Sequence, residues 1–134
     1  MSDETDSKIS GPDFGKGDGL LPAIAQDAET GEVLMLAYMN QESYEETLKT
    51  GRAVYFSRSR GKLWRKGEES GNVQEVESVF LDCDLDAILV RIRQIGEAAC
   101  HTGRRSCFFN KVTDDGVQVV GEQLFDPEEV YRRR

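Results

Sequence analysis

The sequence lacks the features that would place a protein in a membrane or outside the cell. It has no apolar run of about 18 residues, so we expect no membrane-spanning helix. Its N-terminal stretch, MSDETDSKIS, is acidic and polar, unlike a secretory signal or a transit peptide. It has only three cysteines, an odd number that argues against a disulfide framework. The expected location is therefore the cytoplasm.

The chain also lacks an excess of basic charge. Its formal net charge of −8 argues against a nucleic-acid-binding protein, because such proteins carry a basic surface. One stretch departs from this balance: residues 52–66, RAVYFSRSRGKLWRK, contain six basic side chains and no acid. A local cationic patch on an acidic protein favours a small anionic ligand.

Local patterns predict an α+β fold that is mainly antiparallel sheet with a few short helices. Residues 1–19 are rich in small and charged side chains and are predicted to be a flexible acidic leader, so that a single domain spans 20–134. The runs LPAIAQD and EVLMLAYM predict a hairpin with Gly31 at its turn. Asn40 is a predicted cap for the helix QESYEETLKT, which Gly51 ends.

The second half of the chain reads mostly as strands. AVYFSRS predicts a strand that Gly61 interrupts, and residues 73–95 predict two longer strands with a turn near 84–87. CFFNKV and VQVVGEQLF predict a further hairpin around DDG. A short C-terminal helix is predicted to begin at Asp126, because Pro127 suits the first helical position.

The three cysteines, Cys83, Cys100 and Cys107, lie within 25 positions, and the only histidine, His101, adjoins one of them. An isolated cysteine is more often a small buried hydrophobic residue. Cys100 and Cys107, however, lie in the polar stretch ACHTGRRSC. A structural zinc site needs four protein ligands, whereas a catalytic site leaves one position for water. Three cysteines therefore favour a catalytic zinc site.

Three aspartates, Asp82, Asp84 and Asp86, interrupt the apolar run VFLDCDLDAILVRI. A solvated turn would explain them, and so would a site for a hard cation such as Mg²⁺. In an extended backbone Asp82 and Asp84 would point to one face and Cys83 to the other, with a turn at 85 folding Asp86 back. The carboxylates and the thiol would then serve two different metals.

The basic stretch is either a solvated charged hairpin or an anion-binding surface. Arginine forks and hydroxyl groups suit phosphate, and the single tryptophan could stack on a base. The candidate substrate-binding residues are Ser57, Arg58, Ser59, Arg60, Lys62, Trp64, Lys66, Ser70 and Gly71.

Together these motifs resemble the phosphoribosyl-AMP cyclohydrolase family of histidine biosynthesis. The resemblance runs from about Leu20 to Phe109 through PAIAQDAETGEVLMLAYMN, SRSRGKLWRKGEESGN, LDCDLDA and GEAACHTGRRSCFF, in that order. Four ordered motifs make it specific, although each alone would be weak. The family is often fused to a phosphoribosyl-ATP pyrophosphatase domain, and this chain is expected to be the monofunctional form.

The resemblance implies hydrolysis of the adenine ring of N1-(5-phosphoribosyl)-AMP between N1 and C6, giving the formimino-imidazole-carboxamide ribotide. It implies a homodimer that holds one Zn²⁺ and one Mg²⁺ in each subunit. The zinc ligands would be Cys83, supplied by the partner subunit, with Cys100 and Cys107. The magnesium ligands would be Asp82, Asp84 and Asp86.

The implied chemistry suggests roles for the remaining candidates. His101 could move protons between the attacking water and the leaving nitrogen, hold the zinc hydroxide, donate to the adduct, bind zinc, or only orient other groups. Arg104 and Arg105 are further candidates for binding phosphate.

A non-catalytic, dimeric zinc-binding module is the main alternative function, but it leaves the arginine–serine stretch unexplained. A zinc deaminase is disfavoured because the sequence has neither H-x-E nor P-C-x-x-C. The lack of C-x-x-C likewise disfavours a thiol redox protein.

Overall fold

The computed structural model describes residues 11–68, 70–96, 99 and 103–121. These residues form one α-helix, α1 (Gln41–Thr50), a 3-10 turn (Phe14–Gly17) and eight strands. The strands are β1 (Leu21–Asp27), β2 (Val33–Met39), β3 (Val54–Ser57), β4 (Lys62–Arg65), β5 (Gln74–Leu81), β6 (Ile88–Gln94), β7 (Asn110–Thr113) and β8 (Gly116–Val119). The predicted α+β class is confirmed. The predicted C-terminal helix lies outside the described residues, and packing across a dimer interface stays a prediction.

The main sheet has four strands in the order β2-β1-β6-β5. The outer pairs, β1 with β2 and β5 with β6, are antiparallel hairpin partners, whereas the central strands β1 and β6 are parallel. Strands β3 and β4 form a separate hairpin, as do β7 and β8. The hairpins predicted from Gly31, from the turn near 84–87 and from DDG are all confirmed.

The core lies on one face of the main sheet because apolar side chains alternate along its central strands. Ala23 and Ala25 of β1 and Ile88, Val90 and Ile92 of β6 are all buried. Removing the larger of these side chains from water stabilises the fold by roughly 1.5–3 kcal/mol each. Strand β6 thus has the alternation that is typical of a half-buried strand.

Helix α1 begins and ends where the sequence predicts. The Asn40 side chain accepts a hydrogen bond from the Ser43 N–H, and Ser43 Oγ accepts one from the Asn40 N–H. Gly51 ends the helix with a φ of +75°. Among the described residues, no helix is long and apolar enough to cross a membrane.

Packed structure begins before Leu20, within the segment predicted to be a flexible leader. Phe14 is buried in the core and lies edge-on to Tyr44, with ring centroids 5.9 Å apart. The Asp13 N–H also donates to the Leu85 carbonyl over 2.7 Å. Phe14 and Asp13 thus attach this polar, glycine-rich stretch to the rest of the fold, which its average composition does not reveal. Residues 1–10 lie outside the described residues.

Candidate active site

The three aspartates lie in the turn between β5 and β6, and one of them builds that turn. Asp82 Oδ1 accepts hydrogen bonds from the Asp86 N–H at 3.0 Å and the Ala87 N–H at 3.1 Å. Leu85 has a left-handed φ of +65°, which reverses the chain. As a result, oxygen atoms of Asp82, Asp84 and Asp86 all lie within 4.8 Å of one another. The predicted folding of Asp86 back toward its neighbours is confirmed.

The carboxylates of this turn differ in their electrostatics. Partial desolvation of Asp82 is outweighed by the N–H groups of Asp86 and Ala87, so the pKa of Asp82 is lowered. A hydrogen bond with the Asp84 side chain, together with desolvation and the nearby negative charges, raises the pKa of Asp86. A divalent cation placed among these oxygens would relieve their repulsion.

The predicted division of carboxylates and thiol between opposite faces rests on a backbone conformation that the structure does not have at this point. It depends on an extended backbone at residues 82–84, but Cys83 and Asp84 lie in the turn. Cys83 Sγ is 4.0 Å from Asp84 Oδ1, and Cys83 is exposed. The reason is that the Asp82 side chain accepts hydrogen bonds from two backbone N–H groups, which favours a turn over an extended strand.

Cys107 has a different environment from Cys83. It is partly buried and packs against the hydrophobic core. Its N–H donates to the Leu34 carbonyl of β2 over 2.7 Å, which fixes its backbone against the main sheet. Cys100 and His101 lie outside the described residues, so their predicted roles rest on the sequence. Ala99, next to Cys100, is described and buried.

The basic stretch forms the β3–β4 hairpin and lines an open pocket of ≈ 820 Å³. Seven predicted substrate-binding residues line it: Ser57, Ser59, Arg60, Lys62, Trp64, Lys66 and Ser70. Arg60 and Lys62 are exposed at the pocket. The indole of Trp64 packs on the buried Tyr55, with centroids 5.7 Å apart, and remains 36% exposed. The pocket thus combines cations, hydroxyl groups and an accessible aromatic ring.

Two other predicted substrate residues have different surroundings. The Arg58 guanidinium stacks on Tyr38, 4.0 Å from its ring centroid. The Gly71 N–H donates to the Gly67 carbonyl over 2.8 Å, so it is already used within its own loop. Neither residue is among those that line the pocket.

Lys66 differs from the other basic residues because its side chain is buried, with 6% exposure. Its ammonium group donates to the Ala99 carbonyl and lies 5.2 Å from the centroid of the Trp64 ring. Lys66 therefore connects the end of the basic hairpin to the residue that precedes Cys100. The sequence, which shows only a run of basic residues, gives no indication that this one is buried.

The adjacent arginines, Arg104 and Arg105, also differ. Arg104 stacks on Phe109 at 4.5 Å and has a buried Nε with no hydrogen-bond partner in the described structure. Arg105 Nε pairs with Glu32 Oε1 at 2.6 Å, and its Nη2 pairs with Asp27 Oδ2. These bonds, set against partial desolvation, raise the pKa of Arg105. Its guanidinium is thus engaged with carboxylates rather than presented to a ligand.

Asp27 and Glu32 are absent from the predicted site, yet they contact the segment that carries Cys107. Asp27 is buried, and burial by itself raises its pKa. Hydrogen bonds from the Thr30 and Glu29 N–H groups and from Arg105 outweigh that effect, so the pKa of Asp27 is lowered. The sequence does contain a signal for Asp27, because this acid continues the alternation of buried residues in LPAIAQD. A buried acid requires a partner, so a basic residue bound to it could have been expected.

Comparison with known proteins gives a consistent result. A family model described as phosphoribosyl-AMP cyclohydrolase matches residues 35–109. A protein of that name from Desulfatibacillum aliphaticivorans is 64% identical over 121 residues, which cover 90% of this chain and 97% of the relative. A second, from Thiobacillus denitrificans, is 62% identical over 120 residues, covering 86% and 90%. A third, from Nitratidesulfovibrio vulgaris, is 60% identical over 121 residues, covering 90% and 96%.

Proposed function

The chain belongs to the phosphoribosyl-AMP cyclohydrolase family, and we propose that it hydrolyses the N1–C6 bond of the adenine ring in N1-(5-phosphoribosyl)-AMP. This reaction is the third step of histidine biosynthesis. The observation that carries the proposal is identity of 60–64% to relatives of this name across most of the chain. The pocket of the basic hairpin and the aspartate turn supply matching chemistry.

The pocket of the basic hairpin suits a substrate with two phosphates and an adenine ring. Arg60 and Lys62 provide exposed positive charge, and Ser57 and Ser59 provide hydroxyl donors at the same wall. Trp64 offers part of an aromatic face. We assign phosphate binding to Arg60 and Lys62 rather than to Lys66 or Arg105. The side chains of Lys66 and Arg105 already donate hydrogen bonds to protein oxygens.

The aspartate turn fits the magnesium site that we propose. Three carboxylates whose oxygens lie within 4.8 Å can share one hard cation, and two of the three are exposed. The pKa of Asp86 is raised by its hydrogen bond with the Asp84 side chain, by desolvation and by the negative charges of Asp84 and Asp82, which such a cation would neutralise. Asp82, Asp84 and Asp86 would hold Mg²⁺, which would in turn neutralise part of a bound phosphate.

The proposed zinc ligands are Cys83, Cys100 and Cys107, a soft donor set that suits Zn²⁺. Cys83 is exposed on its turn, as a ligand offered to a partner subunit needs to be. Cys107 is partly buried and fixed to β2. When bound, zinc would activate water for attack at C6 near neutral pH. His101 would accept a proton from that water and return one to N1.

The first test is metal analysis of the purified protein with an assay on phosphoribosyl-AMP in added magnesium. We expect one zinc per chain and turnover that disappears on chelation and returns with zinc. Zinc without turnover would contradict the proposed function and favour the non-catalytic zinc-binding module.

A complementation experiment tests whether two subunits share the zinc site. Cys83→Ser and Cys107→Ser should each be inactive, because every site of either homodimer lacks one ligand. Unfolding and refolding an equal mixture would place about half of the chains in heterodimers, each with one intact site out of two. Activity should then return to about a quarter of the wild-type value. No recovery would contradict a shared site, and a mixture of Cys107→Ser with Cys100→Ser is the matched control that cannot recover.

A further inference from the structure

The segment around Cys107 is attached to the β1–β2 hairpin by consecutive residues. Cys107 donates its N–H to the Leu34 carbonyl at 2.7 Å, and Ser106 Oγ donates to the Val33 carbonyl at 2.9 Å. Arg105 then reaches Glu32 and Asp27 with its side chain. Three successive residues thus contact the end of β1, the turn and the start of β2.

Arg105 also fixes the other end of this segment. Its carbonyl accepts a hydrogen bond from the Ala99 N–H at 3.0 Å, while its guanidinium binds the two carboxylates. Cys100 follows Ala99 directly, and Cys107 is two residues beyond Arg105. A displacement of Arg105 would therefore be transmitted to Ala99 and to Cys107.

The Asp27 carboxylate is itself fixed by hydrogen bonds, so it can hold Arg105 in place. Its Oδ1 accepts the N–H groups of Glu29 at 2.8 Å and Thr30 at 3.1 Å, which fixes the carboxylate in the hairpin turn. Its other oxygen, Oδ2, accepts from Arg105. With its side chain only 11% exposed, Asp27 is a rigid partner with little competition from water.

We propose that Asp27 and Glu32 are positioning residues, which act through Arg105 to hold Ala99 and Cys107 in one fixed geometry. The proposal rests on the proposed zinc function. Mutation of groups that orient metal ligands without touching the metal typically lowers metal affinity or activity by about 10–100-fold. Exposed ion pairs that serve stability alone contribute little.

The test compares Asp27→Asn and Glu32→Gln with wild type. In Asp27→Asn the amide oxygen can still accept from Glu29 and Thr30, but its NH₂ group faces the Arg105 donors and cannot accept from them. The matched control is Glu75→Gln, which removes the 2.5 Å ion pair with Arg93 on another part of the sheet. Its side chain is 40% exposed, against 43% for Glu32.

Four quantities are measured besides Tm: the rate of zinc release to a competing chelator, kcat, KM, and the rate at which apoprotein thiols react with a disulfide reagent. We expect zinc release to accelerate about 10–100-fold in Asp27→Asn, with kcat lowered and KM within about twofold. Thiol reaction should accelerate as well, while Tm of Glu32→Gln, whose ion pair is exposed, falls by less than about 5 °C. Glu75→Gln should match wild type.

Unchanged zinc release and thiol reactivity in both variants would overturn the proposal. So would an acceleration that only follows a large drop in Tm, since that would indicate a general loss of stability. If wild type binds no zinc, the proposed function fails, and the thiol rates of the apoprotein still decide whether Asp27 and Glu32 fix the segment.

Discussion

Gly67 ends the basic hairpin, and replacing it with alanine should destabilise the protein more than the same change at Gly61. Both glycines have left-handed backbones, with φ of +85° and +64°. A Cβ at 67 would lie 2.3 Å from the Val73 nitrogen, whereas at 61 it would meet no described atom within 4 Å. Left-handed alanine costs roughly 1–2 kcal/mol at either position, and moving a packed backbone adds about 1–3 kcal/mol. Gly67→Ala should therefore lower the free energy of unfolding by about 2–5 kcal/mol, and Gly61→Ala by about 1–2 kcal/mol.

The assay is urea unfolding followed by the fluorescence of Trp64, the single tryptophan. All proteins are compared at one concentration, because assembly would make the midpoint depend on concentration. The difference between the two variants isolates the contact with Val73, since the left-handed conformation is common to both. Equal losses would refute the reasoning, because they would show that the loop from Gly67 to Val73 can shift to admit a methyl group at no cost.

Two further predictions concern the metal sites. Asp84→Ala should remove the magnesium dependence of turnover and most activity, while the zinc content per chain stays unchanged. Metal analysis of the same sample checks this. Loss of zinc would contradict separate zinc and magnesium sites. His101→Ala should lower kcat by about 10²–10⁴-fold, the range for general acid–base catalysis, with zinc content unchanged. A parallel loss of zinc and activity in His101→Ala would instead make His101 a zinc ligand.

The elements that the sequence predicts correctly are those with short-range causes. Asn40, Ser43 and Gly51 supply caps within one helix, and their chemistry is complete within 12 positions. The hairpin at Gly31 needs a left-handed residue between two apolar runs, and its φ is +81°. The turn at 82–87 is closed by Asp82, which bonds N–H groups only four and five residues away.

Contacts between distant parts of the chain carry no comparable local signal. The parallel pairing of β1 with β6 joins Ala23 to Ile88, and nothing in either run specifies the partner. Arg105 meets Asp27 across 78 positions, and Lys66 meets Ala99 across 33. A basic residue in a polar motif therefore looks the same in sequence whether it faces a ligand or binds a buried carboxylate.

The N-terminal segment before Leu20 bears directly on the candidate magnesium site. Asp13 donates its N–H to the Leu85 carbonyl at 2.7 Å, and Lys16 Nζ donates to the Asp84 carbonyl at 2.5 Å. Both bonds hold the backbone of the aspartate turn, where Leu85 has an unfavourable left-handed conformation. Phe14 lies between Asp13 and Lys16 in the sequence and is buried in the core. Its burial therefore helps to hold the turn in place. The carboxylates are thus brought together partly by a segment whose own composition predicts disorder, so a shortened chain that begins at Leu20 would lack part of the support for this site.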